Sequence, residues 1–341
     1  MGHFGFPLET IIIFFAVIGL SIYLDLVAHK NTKEITISDA AKWSVFWIVL
    51  ALCFYGYLWV GFSKDWADLY LAGYVLEKSL SIDNLMVFMA IFASFGIRGV
   101  LQHRILYWGI LGALVFRAIF VLIGTELFLA SPWVGFLFAA FVIWTAVKML
   151  QSGSDGEEIE DYSEHWSVKL IKRFMPIYTR LHLNRFFIKH QELILNGLAD
   201  KSSTTRNGAV YATPAFLCLL AIETSDIAFS FDSVPAVISV TQEPLLVYAA
   251  MIFAILGLRS LYFVLAALTR YLVQLEKAVV VLLFYIGGKM ILQSWNHAVA
   301  DTGLHISPGT SLLIVLLTLS AGVIASFIWL PKEESDKNFS N

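Results

Sequence analysis

Along the chain, apolar residues gather into blocks long enough to cross a hydrocarbon core, which takes about 20 residues as helix. The pattern predicts about nine spanning helices, over Leu8–Ala28, Trp43–Phe62, Leu69–Phe95, Arg104–Gly124 and Trp133–Leu150, then Tyr211–Asp232, Leu245–Leu268, Ala278–Leu292 and Ser311–Leu330. The expected fold class is therefore all-α, a polytopic membrane helix bundle. The sizeable polar interruption is the stretch 151–210, which opens on an acidic run, Asp155–Asp161, and then turns basic. Trp166–Phe174 has apolar residues near helical spacing with basic residues between them, as a helix lying on a membrane surface would. It reads as a solvated linker or as a docking surface for a soluble cytoplasmic partner.

Two of the apolar blocks carry charge. Glu77-Lys-Ser-Leu-Ser-Ile-Asp-Asn84 lies within the third span, and Glu223-Thr-Ser-Asp-Ile-Ala-Phe-Ser-Phe-Asp-Ser-Val-Pro235 closes the sixth and runs just past its end. An ionisable group at such depth costs roughly 2.5–3.5 kcal/mol on insertion scales unless it is paired, hydrated or metal-bound. Two such stretches ask for a function.

The second stretch repeats the first. Glu77–Asn84 and Asp226–Ser233 both read acid, three residues, Ser, one residue, Asp, then an amide or hydroxyl. The next spans hold Arg117 in Phe-Arg-Ala-Ile-Phe-Val-Leu and Arg259 in Leu-Arg-Ser-Leu-Tyr-Phe-Val-Leu, and those after them end in Lys148-Met-Leu-Gln-Ser and Lys289-Met-Ile-Leu-Gln-Ser. The two units start three spans apart, an odd number, so they cross the membrane in opposite directions. That is an inverted-topology repeat of spans three to five against six to eight, a construction whose binding sites lie near the midplane between the repeats. The organisation expected is 1–68 for the first two spans, 69–150 for the first repeat, 151–210 for a cytoplasmic loop, 211–294 for the second repeat, and 295–341 for the last span and a short tail. The competing reading is a pair of polar helices joined for assembly, for which carboxylates are a poor choice.

Composition sharpens this picture. The chain has 341 residues, is 58% hydrophobic and is only 14% charged, where a soluble domain carries about a quarter charged residues. A net charge of -3 and the lack of a basic, aromatic-interleaved patch argue against nucleic acid. Cys53 and Cys218 sit in apolar blocks and read as packing residues. The N-terminus lacks a basic leader and a small-residue cleavage site, so the first block reads as a retained helix. Lys and Arg concentrate in alternate connections, with Lys64 alone in the others, which puts the N-terminus outside and the C-terminus in the cytoplasm. Trp43, Trp59, Trp66, Trp108, Trp133, Trp295 and Trp329 fall near span ends, where interfacial tryptophans belong.

The candidate metal ligands are Glu77, Asp83, Asn84, Glu223, Asp226 and Asp232, with Arg117 and Arg259 as supporting ion-pair partners. All six are oxygen donors, which suit Mg2+, Ca2+ and Mn2+ rather than Zn2+ or Cu+. Carboxylates in low dielectric also hold protons more tightly, so cation release could be exchanged for proton uptake. On a straight helix Glu77, Ser81 and Asn84 share a face, as do Glu223, Ser230 and, less squarely, Asp226, while Asp83 and Asp232 point elsewhere. Their convergence calls for a broken helix near Asp232, where Pro235 follows, and near Asp83. Lys148 and Lys289, near span ends, are expected to snorkel. No histidine spacing suggests a ligand. No P-loop, nucleophile elbow or zinc-protease motif is present, against an ATP-driven pump or an intramembrane enzyme. No cofactor is expected beyond the bound or transported ion.

At Glu77–Asn84, Glu223–Pro235, Phe253-Ala-Ile-Leu-Gly-Leu-Arg259 and Glu158-Ile-Glu-Asp-Tyr-Ser163, the chain resembles the TerC family of bacterial integral membrane proteins from its first span to its last. Thr224 is a small departure. The resemblance implies a multi-pass inner-membrane protein associated with tellurite resistance, manganese export among its members, and partnership with a soluble cytoplasmic protein such as TerB. Tellurite is an oxyanion that a carboxylate site should repel, with only Arg117 and Arg259 to serve it. The leading expectation is thus a secondary transporter exporting Mn2+ or a similar divalent cation. The alternatives are a non-transporting anchor that recruits resistance proteins through 151–210, and an oxyanion transporter.

Overall fold

The computed structural model describes residues 8–28, 36–152, 168–169, 171, 173, 175–178, 185–189, 210–241, 243–268, 273–300 and 302–328. Asp155–Asp161, most of Trp166–Phe174, Trp329 and Glu158–Ser163 lie outside them. In chain order the elements are α1 (Leu8–Ala28), α2 (Ile37–Gly61), α3 (Lys64–Ser94), α4 (Val100–Ala130), α5 (Pro132–Ser152), β1 (Phe187–Lys189), β2 (Val210–Ala212), α6 (Pro214–Thr241), α7 (Pro244–Ile255), α8 (Leu258–Leu268), α9 (Val273–Ala298) and α10 (Pro308–Ile328).

Each expected span contains a helix over most of its described length. By length and composition, five helices among the described residues are able to cross a membrane (α2, α4, α5, α6 and α10), and a sixth span is formed if α7 and α8 count as one. Those two meet at a 49° bend. Local chemistry sets several ends. Thr36 caps α2 by accepting from the Asp39 backbone N–H at 3.2 Å while its hydroxyl donates to the Asp39 carboxylate at 2.8 Å. Ser63 caps α3 through the Trp66 backbone N–H. At the α7–α8 bend Gly257 has φ of +83°, a left-handed conformation that glycine adopts without steric penalty.

Two expectations are corrected here. The sixth span does not start at Tyr211, because Tyr211 belongs to β2, which pairs antiparallel with β1 in the register Phe187↔Ala212, Ile188↔Tyr211 and Lys189↔Val210. The fold is thus helical with one small sheet, and Pro214, whose missing N–H costs nothing in a first turn, opens α6. Second, no break occurs at Asp232 or Asp83, since α6 and α3 run unbroken through them, Pro235 included. The hydroxyls expected to disrupt the helices instead fold back on their own turns. Ser79 donates to Val75 O, Ser81 to Glu77 O, Ser225 to Ala221 O and Ser230 to Asp226 O, each at 2.8–2.9 Å. In apolar surroundings, keeping the ladder is cheaper than exposing its N–H and C=O groups.

Polarity is distributed inside out relative to a soluble domain. Val45, Phe46, Ile48, Val49 and Leu52 of α2 and Leu313, Leu317 and Ile324 of α10 are exposed, while Glu77, Arg117 and Asp226 are buried. The outer faces suit lipid. The interior packs in a definite pattern: α3 lies against α6 and α7, α6 against α3 and α4, α4 against α7, and α5 against α9. Small residues bring the last pair together, Gly287 meeting Ile143 and Gly135 meeting Ser294 so closely that a Cβ on either glycine would collide. Helix α10 closes the bundle against α3 and α9.

Candidate functional site: an acid–arginine cluster in the bundle core

Three long helices bring the central groups together. Glu77 comes from the middle of α3, Arg117 from the middle of α4 and Asp226 from the middle of α6. Their exposures are 0%, 2% and 3%, so the cluster is sealed within the bundle. The guanidinium grips Asp226 with two hydrogen bonds, from Nη2 to Oδ1 at 2.9 Å and from Nε to Oδ2 at 3.4 Å. Its Nη1 is ion-paired with Glu77 Oε1. Turned so that both ends of its amide are satisfied, Asn84 accepts from Arg117 Nη2 at 3.2 Å and donates to Leu80 O at 3.2 Å. Sequence spacing put Glu77 and Asn84 on one face of α3, and this is the face that meets Arg117. The planar guanidinium fork suits two carboxylates at once, which a lysine's single ammonium could not match.

The other candidate ligands surround this cluster without joining it. Glu223, one turn before Asp226 on α6, lays its carboxylate against Gly112 of α4, where a side chain would occupy the same space. Its Oε2 is buried without a hydrogen-bond partner, as are Glu77 Oε2 and Asp83 Oδ2. Electrostatically the groups are linked: Glu223 senses Asp226, Asp232 senses Arg117, and Asp83 senses both Glu276 and Asp232. Among the described residues, no three His, Cys, Asp or Glu side chains are gathered closely enough to hold one metal ion. Arg259 is buried near the start of α8, two residues after the bend.

Some groups escaped the sequence reading. Glu276, in the first turn of α9, acts electrostatically on Asp83, yet the expected eighth span began at Ala278 and left Glu276 in a loop. Lys78 reaches from α3 to donate to Ala254 O at 3.0 Å, supplying a cation to the open carbonyl end of α7. Its position beside Glu77 in a polar run was the available signal. Lys289 does not snorkel. It is buried and donates to Ser311 Oγ at 2.9 Å, with the Tyr285 hydroxyl on the same oxygen at 3.2 Å, because α10 covers this end of α9. Lys148, with no such cover, lies exposed over the Trp144 ring at 5.8 Å.

Comparison with known proteins gives a consistent result. A family profile described as "Integral membrane protein TerC family" matches residues 62–334. The chain is 49% identical over 99% of its length to "Tellurium resistance protein TerC" of Serratia marcescens, covering 99% of that protein. It is 48% identical to a protein of the same name from an Alcaligenes species, again over 99% of both chains. It is 34% identical to "Putative membrane-bound redox modulator Alx" of Photorhabdus laumondii, over 95% of this chain and 96% of that protein. No solved structure matches the chain.

Proposed function

The chain belongs to the integral membrane protein TerC family, and from that premise we propose that it is a secondary transporter of hard divalent cations, Mn2+ foremost, acting in export. The observation that carries this reading is the meeting of Glu77 and Asp226, from two different long helices, on one buried guanidinium in the bundle core. Carboxylates at that depth are expensive and mark ion pathways. Glu77, Asp83, Asn84, Glu223, Asp226 and Asp232 form the proposed ligand pool, all oxygen donors. Arg117 and Arg259 offset part of its charge.

The packing pattern supports an inverted repeat of α3, α4 and α5 against α6, α7–α8 and α9. Under such a symmetry α3·α7 corresponds to α6·α4, while α3·α6, α4·α7 and α5·α9 each pair a helix with its own counterpart. These are all substantial contacts of the bundle. Ser81 and Ser230 add a local match, each donating to the carbonyl of its repeat's first acid at 2.8 Å. The repeat supports nine spans, α7 and α8 forming one, and lysine and arginine placement puts the N-terminus outside and the C-terminus in the cytoplasm.

The proposed link to tellurium resistance, taken from the relatives' names, runs through cation handling. An oxyanion at 5 Å from one ionised carboxylate meets about 3 kcal/mol of repulsion at an effective dielectric near 20, and two acids about double that. Arg117, already engaged by both acids, offers little in return. The deciding experiment is Mn2+ and tellurite flux in vesicles reconstituted with the full chain. Mn2+ flux that is lost in Glu77→Gln and Asp226→Asn supports the reading. Tellurite flux without Mn2+ flux would sink it, and a resistance phenotype unchanged by both substitutions would point to an anchor that recruits a soluble protein such as TerB through 151–210.

A further inference from the structure

We infer that Arg117 is a tethered substitute for the transported cation, occupying the Glu77–Asp226 position at rest and leaving it when a divalent ion binds. The inference rests on the cation-transport reading and concerns how that site is loaded. Its first support is occupancy. The guanidinium holds both oxygens of Asp226 and touches Oε1 of Glu77, so the groups best placed to share a metal ion are already taken. Among the described residues no three candidate acids converge on one metal position, and the two that do meet are held by the guanidinium.

The second support is that the guanidinium fork lies between the two carboxylates it pairs, where an ion shared by Glu77 and Asp226 would have to sit. A metal ion must therefore displace the side chain. Asp232 provides the destination. It lies on α6, six residues beyond Asp226 and about 9 Å further along the axis. The unbroken helix that kept Asp232 out of the Glu77–Asp226 cluster thus gives it a role as the waiting partner of the displaced arginine. The third support is Glu77 Oε2, buried without a hydrogen-bond partner, an open donor position on the cluster's own acid.

A strut and a tethered cation predict opposite effects of removing Arg117. Mn2+ binding to the detergent-purified full chain, read by the loss of the free-ion electron paramagnetic resonance signal, separates them. In Arg117→Gln the apparent Kd for Mn2+ falls by about ten-fold or more, since a competitor worth at least about 1.4 kcal/mol is gone. Thermal stability lost through the substitution returns on adding Mn2+, as ligand linkage requires. Arg117→Lys, which keeps the charge but loses the fork, gives an intermediate Kd and decides the matter if the glutamine variant does not fold. Unchanged or weaker Mn2+ binding in the folded arginine variants, with wild-type binding that depends on Glu77 and Asp226, overturns the inference alone. Absence of Mn2+ binding from wild type and from both variants overturns the transport reading with it.

Discussion

Replacing Gly257 by alanine tests whether the bend between α7 and α8 is fixed by local chemistry. The position has φ of +83°, and holding an L-residue in the left-handed region costs about 1–2 kcal/mol. A Cβ placed there would stand 2.7 Å from Trp47 Cγ and 2.9 Å from Trp47 Cβ. Those are the stem atoms of a side chain that is 1% exposed and packed edge-on against Phe46 with ring centres 5.1 Å apart. Trp47 cannot swing aside, so overpacking adds about 1–3 kcal/mol. The total is about 2–5 kcal/mol, measurable by equilibrium unfolding in detergent micelles. Gly288→Ala is the control: a helical glycine with nothing within 4 Å of its added methyl, expected to gain about 0.5–1 kcal/mol from helix propensity. Combining Gly257→Ala with Trp47→Ala should recover only the packing share, leaving the backbone cost of about 1–2 kcal/mol in the double-mutant cycle. If Gly257→Ala is as stable as wild type, or gains as Gly288→Ala does, the bend is not maintained by Gly257 and the reasoning fails.

Two other sites give sharp outcomes. Ser311→Ala removes the oxygen that accepts from buried Lys289 at 2.9 Å and should cost about 1–3 kcal/mol in the same unfolding measurement; adding Lys289→Met should recover most of it, and a neutral Ser311→Ala would mean that the lysine finds another acceptor. Gly112→Ala places a methyl in the space of the Glu223 carboxylate, the mobile tip of a side chain, so stability should change by less than about 1 kcal/mol. If Glu223 belongs to the proposed ion path, Mn2+ flux in vesicles should drop several-fold in that variant, and unaltered flux would remove Glu223 from the site.

The residues best read from sequence were those whose signal is local. Helix positions followed from block length, and the shared face of Glu77 and Asn84 followed from a period of 3.6, which one segment suffices to show. What failed depended on neighbours. The proposed break at Asp232 assumed that serines and Pro235 would act as they do at a water-exposed helix end; inside the bundle, Ser225 and Ser230 found acceptors on their own turns and α6 stayed intact. The actual bend rests on Gly257 within Phe253–Arg259, a stretch noted for resemblance and not for geometry. Lys289 looked like a snorkelling side chain because nothing in its own segment announces that α10 will cover it. Glu276 was missed because a short shift in a predicted helix start left it in a loop.

The two halves of the proposed repeat also differ in a way that constrains how a transporter built from them could move. Aligned on Arg117 and Arg259, Gly257 corresponds to Val115, and the bend has no counterpart, since α4 runs unbroken from Val100 to Ala130. Inverted repeats can alternate access by exchanging conformations, each half adopting the shape the other has left. Here such an exchange would require Val115 to take a left-handed φ, which for a β-branched residue is a severe outlier. Lys78 strengthens the lock by occupying the carbonyl end of α7 from α3, while the matching position after Asp226 is Ile227, which has no charge to offer. On the proposed reading the bend is therefore a fixed feature of the second half and not the moving part. Because Lys78 adjoins Glu77, the bent pair is tied to the helix that carries the acid, and on the proposed reading α3 moves with α7–α8. On the proposed reading, alternating access then comes from rigid sliding of that body against α4 and α6. The contact that must yield along this boundary is the one Arg117 makes between Glu77 and Asp226.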